Sequence, residues 1–147
     1  VRNPEIITRL AQRYGSQFVV LAVDARLENG AWEVYVNGGR KPTGKELFAW
    51  VKEAQERGAG EILFTSMNHD GTKQGFAVEA LKKMSEMVSI PVIASGGAGK
   101  AEHFREVFRE TDTEAALAAS IFHYNEIPIP ILKKYLDEEG VAIRRSV

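Results

Sequence analysis

The sequence predicts an α/β fold organised around an all-parallel sheet. Three observations carry this. Helix-period and strand-type segments alternate along the chain. The strand-type segments are short, nearly unbroken apolar runs, the pattern of strands with apolar side chains on both faces. Each run then ends in small, glycine or polar residues just ahead of the next helix-type segment.

Residues 3–14 read as a helix, with Asn3 as N-cap, Pro4 in the first turn, and Ile6, Ile7, Leu10 and Ala11 on one face. Phe18 to Ala25 is an apolar run interrupted by Asp24, and reads as a buried strand. Within residues 26–42, Trp32 to Val36 alternates between Asn29-Gly30 and Gly38-Gly39, so a small hairpin decorates this loop. Thr43 and Glu46 have capping-box spacing for a helix to about Arg57, with Leu47, Trp50, Val51 and Ala54 inward. Three more strand–helix units follow: strands at 61–67, 91–95 and 115–120, and helices at 77–87, 100–109 and 128–138. Gly58-Ala-Gly-Glu-Ile-Leu-Phe-Thr-Ser66 is echoed by Asp112 to Ser120, each leading from a helix end into a strand that finishes in Ser.

Such an order, a leading helix and then four βα units with no linker, predicts one domain over residues 1–147. It is the layout of a (β/α)8 barrel cut between its fourth strand and fourth helix. Four strands cannot close a barrel, which requires about eight with matching stagger. The sheet is therefore expected to seek either an N-terminal half-barrel or a second copy of itself.

Composition narrows the function. At 147 residues, with 44% apolar and 27% charged, the chain has enough apolar material for one globular core. A net charge of −1 offers no general attraction to nucleic acid or to an anionic membrane, so any bound anion must be held locally. The absence of cysteine excludes disulfides, thiolate metal sites and cysteine nucleophiles. Phe18 to Val23, the longest apolar run, is too short to span a bilayer, and the first residues lack signal-peptide order. A cytoplasmic protein is the expectation.

In parallel α/β folds the working groups stand at the C-terminal ends of strands. Asp24 is the leading acid/base candidate, because a carboxylate closing an apolar strand is costly unless it is hydrogen-bonded or used. Ser95-Gly96-Gly97-Ala98-Gly99 offers backbone N–H groups to an anion, with Asp70-Gly71-Thr72 and Ala118-Ala119-Ser120 at neighbouring strand ends. The same glycines also suit plain tight turns; their recurrence at consecutive strand ends favours phosphate. Neither a P-loop nor a dinucleotide glycine fingerprint occurs. His69, His103 and His123 have no metal-ligand spacing and read as structural or surface residues. No metal or cofactor is expected.

Specific strings go further than pattern. Phe18-Val-Val-Leu-Ala-Val-Asp24, Asp70-Gly-Thr72, Ile93-Ala-Ser-Gly-Gly-Ala-Gly99 and Leu117-Ala-Ala-Ser-Ile-Phe-His123 occur in that order. Together they resemble the cyclase subunits of imidazole glycerol phosphate synthase, over essentially the whole chain. The resemblance implies the C-terminal half of a (β/α)8 barrel from histidine biosynthesis. It implies a lyase-type reaction in which ammonia and a bis-phosphorylated substrate yield imidazole glycerol phosphate and aminoimidazole carboxamide ribotide. Asp24 matches one of the family's two catalytic aspartates. Asp70, Gly71, Thr72, Gly96, Gly97, Ala119 and Ser120 match its phosphate site, and Thr65 and Ser95 match polar positions lining the active end. Glu61, at the other end of its strand, matches the ring through which ammonia arrives from a glutaminase subunit. Asn68 replaces an Asp found in many relatives and is expected to be a substrate contact only. The other catalytic aspartate has no counterpart here, so these residues alone are expected to be inactive. The sister isomerase, phosphoribosylformimino-aminoimidazole carboxamide ribotide isomerase, fits the strings less well. A non-catalytic half-barrel fragment is the alternative from outside the enzymes.

Overall fold

A computed structural model describes residues 1–144. Helix α1 (Glu5–Tyr14) leads through a short 3-10 turn to strand β1 (Val20–Glu28), then β2 (Ala31–Val36) and β3 (Lys41–Glu46). Next come α2 (Leu47–Glu56), β4 (Glu61–Ser66), α3 (Val78–Met87), β5 (Val92–Ser95) and α4 (Ala101–Glu110). The chain continues with β6 (Ala115–Leu117), the single turn α5 (Ser120–His123) and α6 (Ile129–Glu138). The six strands form one open sheet in the order β3-β2-β1-β4-β5-β6. Strands β1, β4, β5 and β6 are mutually parallel, as expected of βα units. This is an α/β fold with a predominantly parallel sheet that does not close. Among the described residues no helix is long and apolar enough to cross a membrane.

The hairpin does more than decorate a loop. Its strand β2 pairs antiparallel with the outer half of β1, from Asp24↔Tyr35 to Glu28↔Ala31, so the sheet is mixed rather than all-parallel. That pairing also carries β1 to Glu28, past the expected end at Ala25. Thr43 is a strand residue whose hydroxyl donates to Val34 O, so it takes no part in a capping box. Glu46 caps α2 itself, accepting from Ala49 N at 2.8 Å. At α1 the N-cap is Pro4, with no side-chain cap, instead of Asn3. The last strand stops at Leu117, because the backbone at Ala119 turns into α5; Ser120 therefore opens a helix, whereas its sequence echo Ser66 closes a strand.

The sheet has one covered and one open face. Val23, Ala25, Ile62, Phe64, Val92 and Ala94 point to the helix side and join Trp50, Val51, Leu81, Met84, Phe104 and Val107 in one core. The opposite face carries Val20 (48% exposed), Ala22, Asp24, Leu63 and Thr65. These strands are apolar on both sides in sequence, yet their own helices cover only one side. The open face is where the strand-end polar groups lie.

Candidate functional site

Cross-strand register assembles a row. Asp24 pairs with Thr65, Thr65 with Ser95, and Ser95 with Leu117, so all four share the open face at the C-terminal ends of the parallel strands. Residues from four separate βα units thus become neighbours. Glu61 is on the same face at the opposite end of β4, beside Val20. Four residues of extended chain separate it from Thr65, roughly 13 Å.

Asp24 is part-buried, and its carboxyl is held above the usual carboxylate range, first by burial and then by the negative charge of Asp70. Raised proton affinity makes a carboxyl a better candidate for acid/base work than an ordinary carboxylate.

Beside this row, a cavity of about 210 Å³ is enclosed by the β4–α3, β5–α4 and β6–α5 loops. Asp70, Gly71, Ser95, Gly96, Gly97, Ala119 and Ser120 all line it. Most of the predicted phosphate residues are thus brought to one place. Among the described residues, the N–H groups of Gly97 and Ser120 donate to no other protein group and are available to a ligand. The loops touch with no room to spare: Gly75 N donates to Gly97 O at 2.8 Å, and a Cβ at Gly97 would lie 1.9 Å from Gly75 O. Gly97 also has φ +102°, so glycine is required there both for space and for backbone conformation.

A larger cavity, about 840 Å³, lies elsewhere, between α4, α6 and the start of β6. Phe104, Phe108, Leu132 and Leu136 dominate its walls, and its threonines Thr111 and Thr113 bond to each other. It sits at the wrong end of the strands for the polar row.

Comparison with known proteins now bears on this site. The model of the family described as "Histidine biosynthesis protein" matches residues 1–128. The chain belongs to that family. It is 61% identical to the imidazole glycerol phosphate synthase subunit HisF of Bacteroides thetaiotaomicron, over 98% of this chain and 57% of the relative. Identity to the same subunit of Elusimicrobium minutum is 58%, over 98% and 58%, and to that of Flavobacterium johnsoniae 57%, over 98% and 57%. The chain therefore spans somewhat more than half the length of the curated relatives it matches.

Two of the predicted positions make side-chain contacts within the chain. The Asn68 side chain is engaged with β1: its Oδ1 accepts from Leu27 N at 2.8 Å and its Nδ2 donates to Leu27 O at 3.2 Å. Its amide thus extends the sheet instead of pointing free toward a substrate. Thr72 turns its hydroxyl into its own loop, donating to His69 O and accepting from Gln74 N. The histidines are structural in effect. His69 Nδ1 sits 2.7 Å from the buried Ser66 Oγ, and burial lowers the ring's proton affinity. His103 Nδ1 accepts from Gly99 N and braces the glycine loop. His123 is exposed at the end of α5. Among the described residues no group of three or more His, Asp or Glu could hold a metal.

Sequence reading missed Lys73. It lines the 210 Å³ cavity, and its signal was in plain view, directly after Asp70-Gly71-Thr72.

Proposed function

We propose that these residues form the C-terminal half of a (β/α)8-barrel cyclase, supplying one phosphate anchor and one of two acid/base aspartates. The reaction is that of imidazole glycerol phosphate synthase: ammonia and a bis-phosphorylated ribulosyl-formimino aminoimidazole carboxamide become imidazole glycerol phosphate and aminoimidazole carboxamide ribotide. One observation carries this reading. The Asp24 carboxyl, its proton affinity raised, and the unengaged N–H groups of Gly97 and Ser120 stand at the same end of the same parallel sheet. That arrangement lets a phosphate fix one end of a substrate while a carboxyl works beside it.

Thr65 and Ser95 lie in register with Asp24 and would contact the substrate, while burial and then the Asp70 charge raise the proton affinity of Asp24. Glu61, on the same face roughly 13 Å away, is placed to meet ammonia from a glutaminase subunit docked at the other end of the strands. The second aspartate and the second phosphate site belong to the N-terminal half of the barrel. The lack of cysteine agrees with a cytoplasmic enzyme.

Titration with inorganic phosphate, followed through amide NMR shifts, tests the anchor. Residues 70–72, 96–99 and 119–121 should move together at millimolar phosphate; an unchanged spectrum in those segments would remove the site.

A further inference from the structure

We propose that Lys73 is a phosphate-gripping residue held in reserve by Glu126, so that the anion takes the lysine from the glutamate as it binds. This rests on the phosphate reading of the cavity.

Lys73 Nζ lies 2.7 Å from both carboxylate oxygens of Glu126, bridging the β4–α3 loop to the segment after α5 across the rim of the cavity. Both ends of the bridge are held by unusual backbone. Lys73 has φ +58°, a left-handed conformation that a residue with a side chain seldom adopts. Its Cα and carbonyl are pressed against Gly99, where an added Cβ would meet them at 2.8 and 2.5 Å. Glu126 follows Asn125, itself at φ +54°, and its N–H is tied to Ile121 O. Two strained turns thus aim one cation and one anion at each other beside a cavity of anion-binding shape.

As a stabilising device the pair is weak, because both side chains are 39–45% exposed and water screens their attraction. The same weakness makes it cheap to exchange. A phosphate dianion held by Gly97 and Ser120 is a stronger partner for an ammonium than one exposed carboxylate. A cation also suits the cavity, since Asp70 is among the residues lining it and its negative charge opposes an anion nearby. Lys73 is the only lysine or arginine lining that cavity among the described residues.

Inorganic phosphate titrations at fixed ionic strength, read by amide shifts of Gly97 and Ser120, provide the test. Lys73→Gly removes the ammonium while suiting the left-handed backbone, so folding is preserved. It should weaken phosphate binding about 5- to 20-fold, and Lys73→Arg should restore most of it. Glu126→Gln should tighten binding by about 2- to 5-fold, and this gain should vanish in the Lys73→Gly background. Equal affinity in wild type, Lys73→Gly and Glu126→Gln would overturn the exchange while leaving the phosphate pocket standing. No shift in the wild type itself would instead overturn the pocket, and the exchange with it.

Discussion

Asn68 holds Leu27 by both of its backbone groups, taking the N–H on Oδ1 at 2.8 Å and giving Nδ2 to the carbonyl at 3.2 Å. A side-chain amide thus takes the place of the next rung between β1 and β4, just past their last paired residues, Ala25 and Ser66. An aspartate could accept from the N–H but has no donor for the carbonyl. Asn68→Asp should therefore cost about 1 kcal/mol in stability and speed hydrogen exchange at the Leu27 amide. Unaltered exchange there would show that the hairpin alone holds this strand end.

Gly97→Ala tests how tightly the loops interlock. The new methyl would fall 1.9 Å from Gly75 O at a residue with φ +102°, so the β4–α3 and β5–α4 loops must separate. Overpacking of this kind costs ~1–3 kcal/mol. A lowered thermal midpoint together with lost phosphate shifts is the expected result. Gly71→Ala, at φ +75° but with open space around it, should lower the midpoint less.

In a complete barrel containing these residues, Asp24→Asn should reduce ammonia-dependent turnover by ~10²–10⁴ while leaving substrate affinity within a few-fold. Near-normal turnover would move the acid/base role to another residue. Without ammonia the wild-type barrel should be silent, which separates it from an isomerase.

The same substitution has a stability signature that needs no substrate. Folding raises the proton affinity of Asp24, so its charged form weakens the fold as pH climbs from the ordinary carboxylate range through the raised value. Asp24→Asn should match or exceed wild-type stability at neutral pH and lose that advantage in acid. His69 acts in the opposite direction. Its proton affinity is lowered by burial, so its contribution is complete above the ordinary imidazole range and is lost as pH falls through the lowered value. Denaturant melts of wild type, Asp24→Asn and His69→Gln from pH 4 to 8, roughly spanning both ranges, resolve the two slopes.

Self-association should occur through the open face and the β6 edge. Strand β3, the other edge, carries Lys41, Pro42 and Lys45, all of which discourage further pairing. Strand β6 has no such guard, and its Leu117 is 43% exposed. Sedimentation at tens of micromolar should show dimers or larger species, with Leu117→Lys shifting them toward monomer. A wild-type monomer at that concentration would mean that the open face is tolerated in water.

The order of helices and parallel strands was legible because each buried strand is a contiguous apolar string and each helix has a regular apolar face. The placing of Asp24 and Gly97 at one end of the sheet was legible for a related reason: contiguous apolar strings show where parallel strands end. What escaped depended on partners distant in sequence. Asn68 and Leu27 are 41 residues apart, and Lys73 and Glu126 are 53 apart. No local period encodes such pairs. The end of β6 was misplaced because Leu117, Ala118 and Ala119 have the same apolar character whether extended or turning into α5.

The open face separates two kinds of dependence. The 210 Å³ cavity is lined by three loops of this chain, so the proposed phosphate anchor draws on these residues. The row of Asp24, Thr65 and Ser95 is on the side that the chain's own helices leave unsheltered. A carboxyl there gains most of its chemical leverage only once water is excluded around it. Under the proposed cyclase reading, damage to whatever shelters that row leaves a protein that still grasps its ligand's phosphate yet no longer transforms it, a competitor for its own substrate.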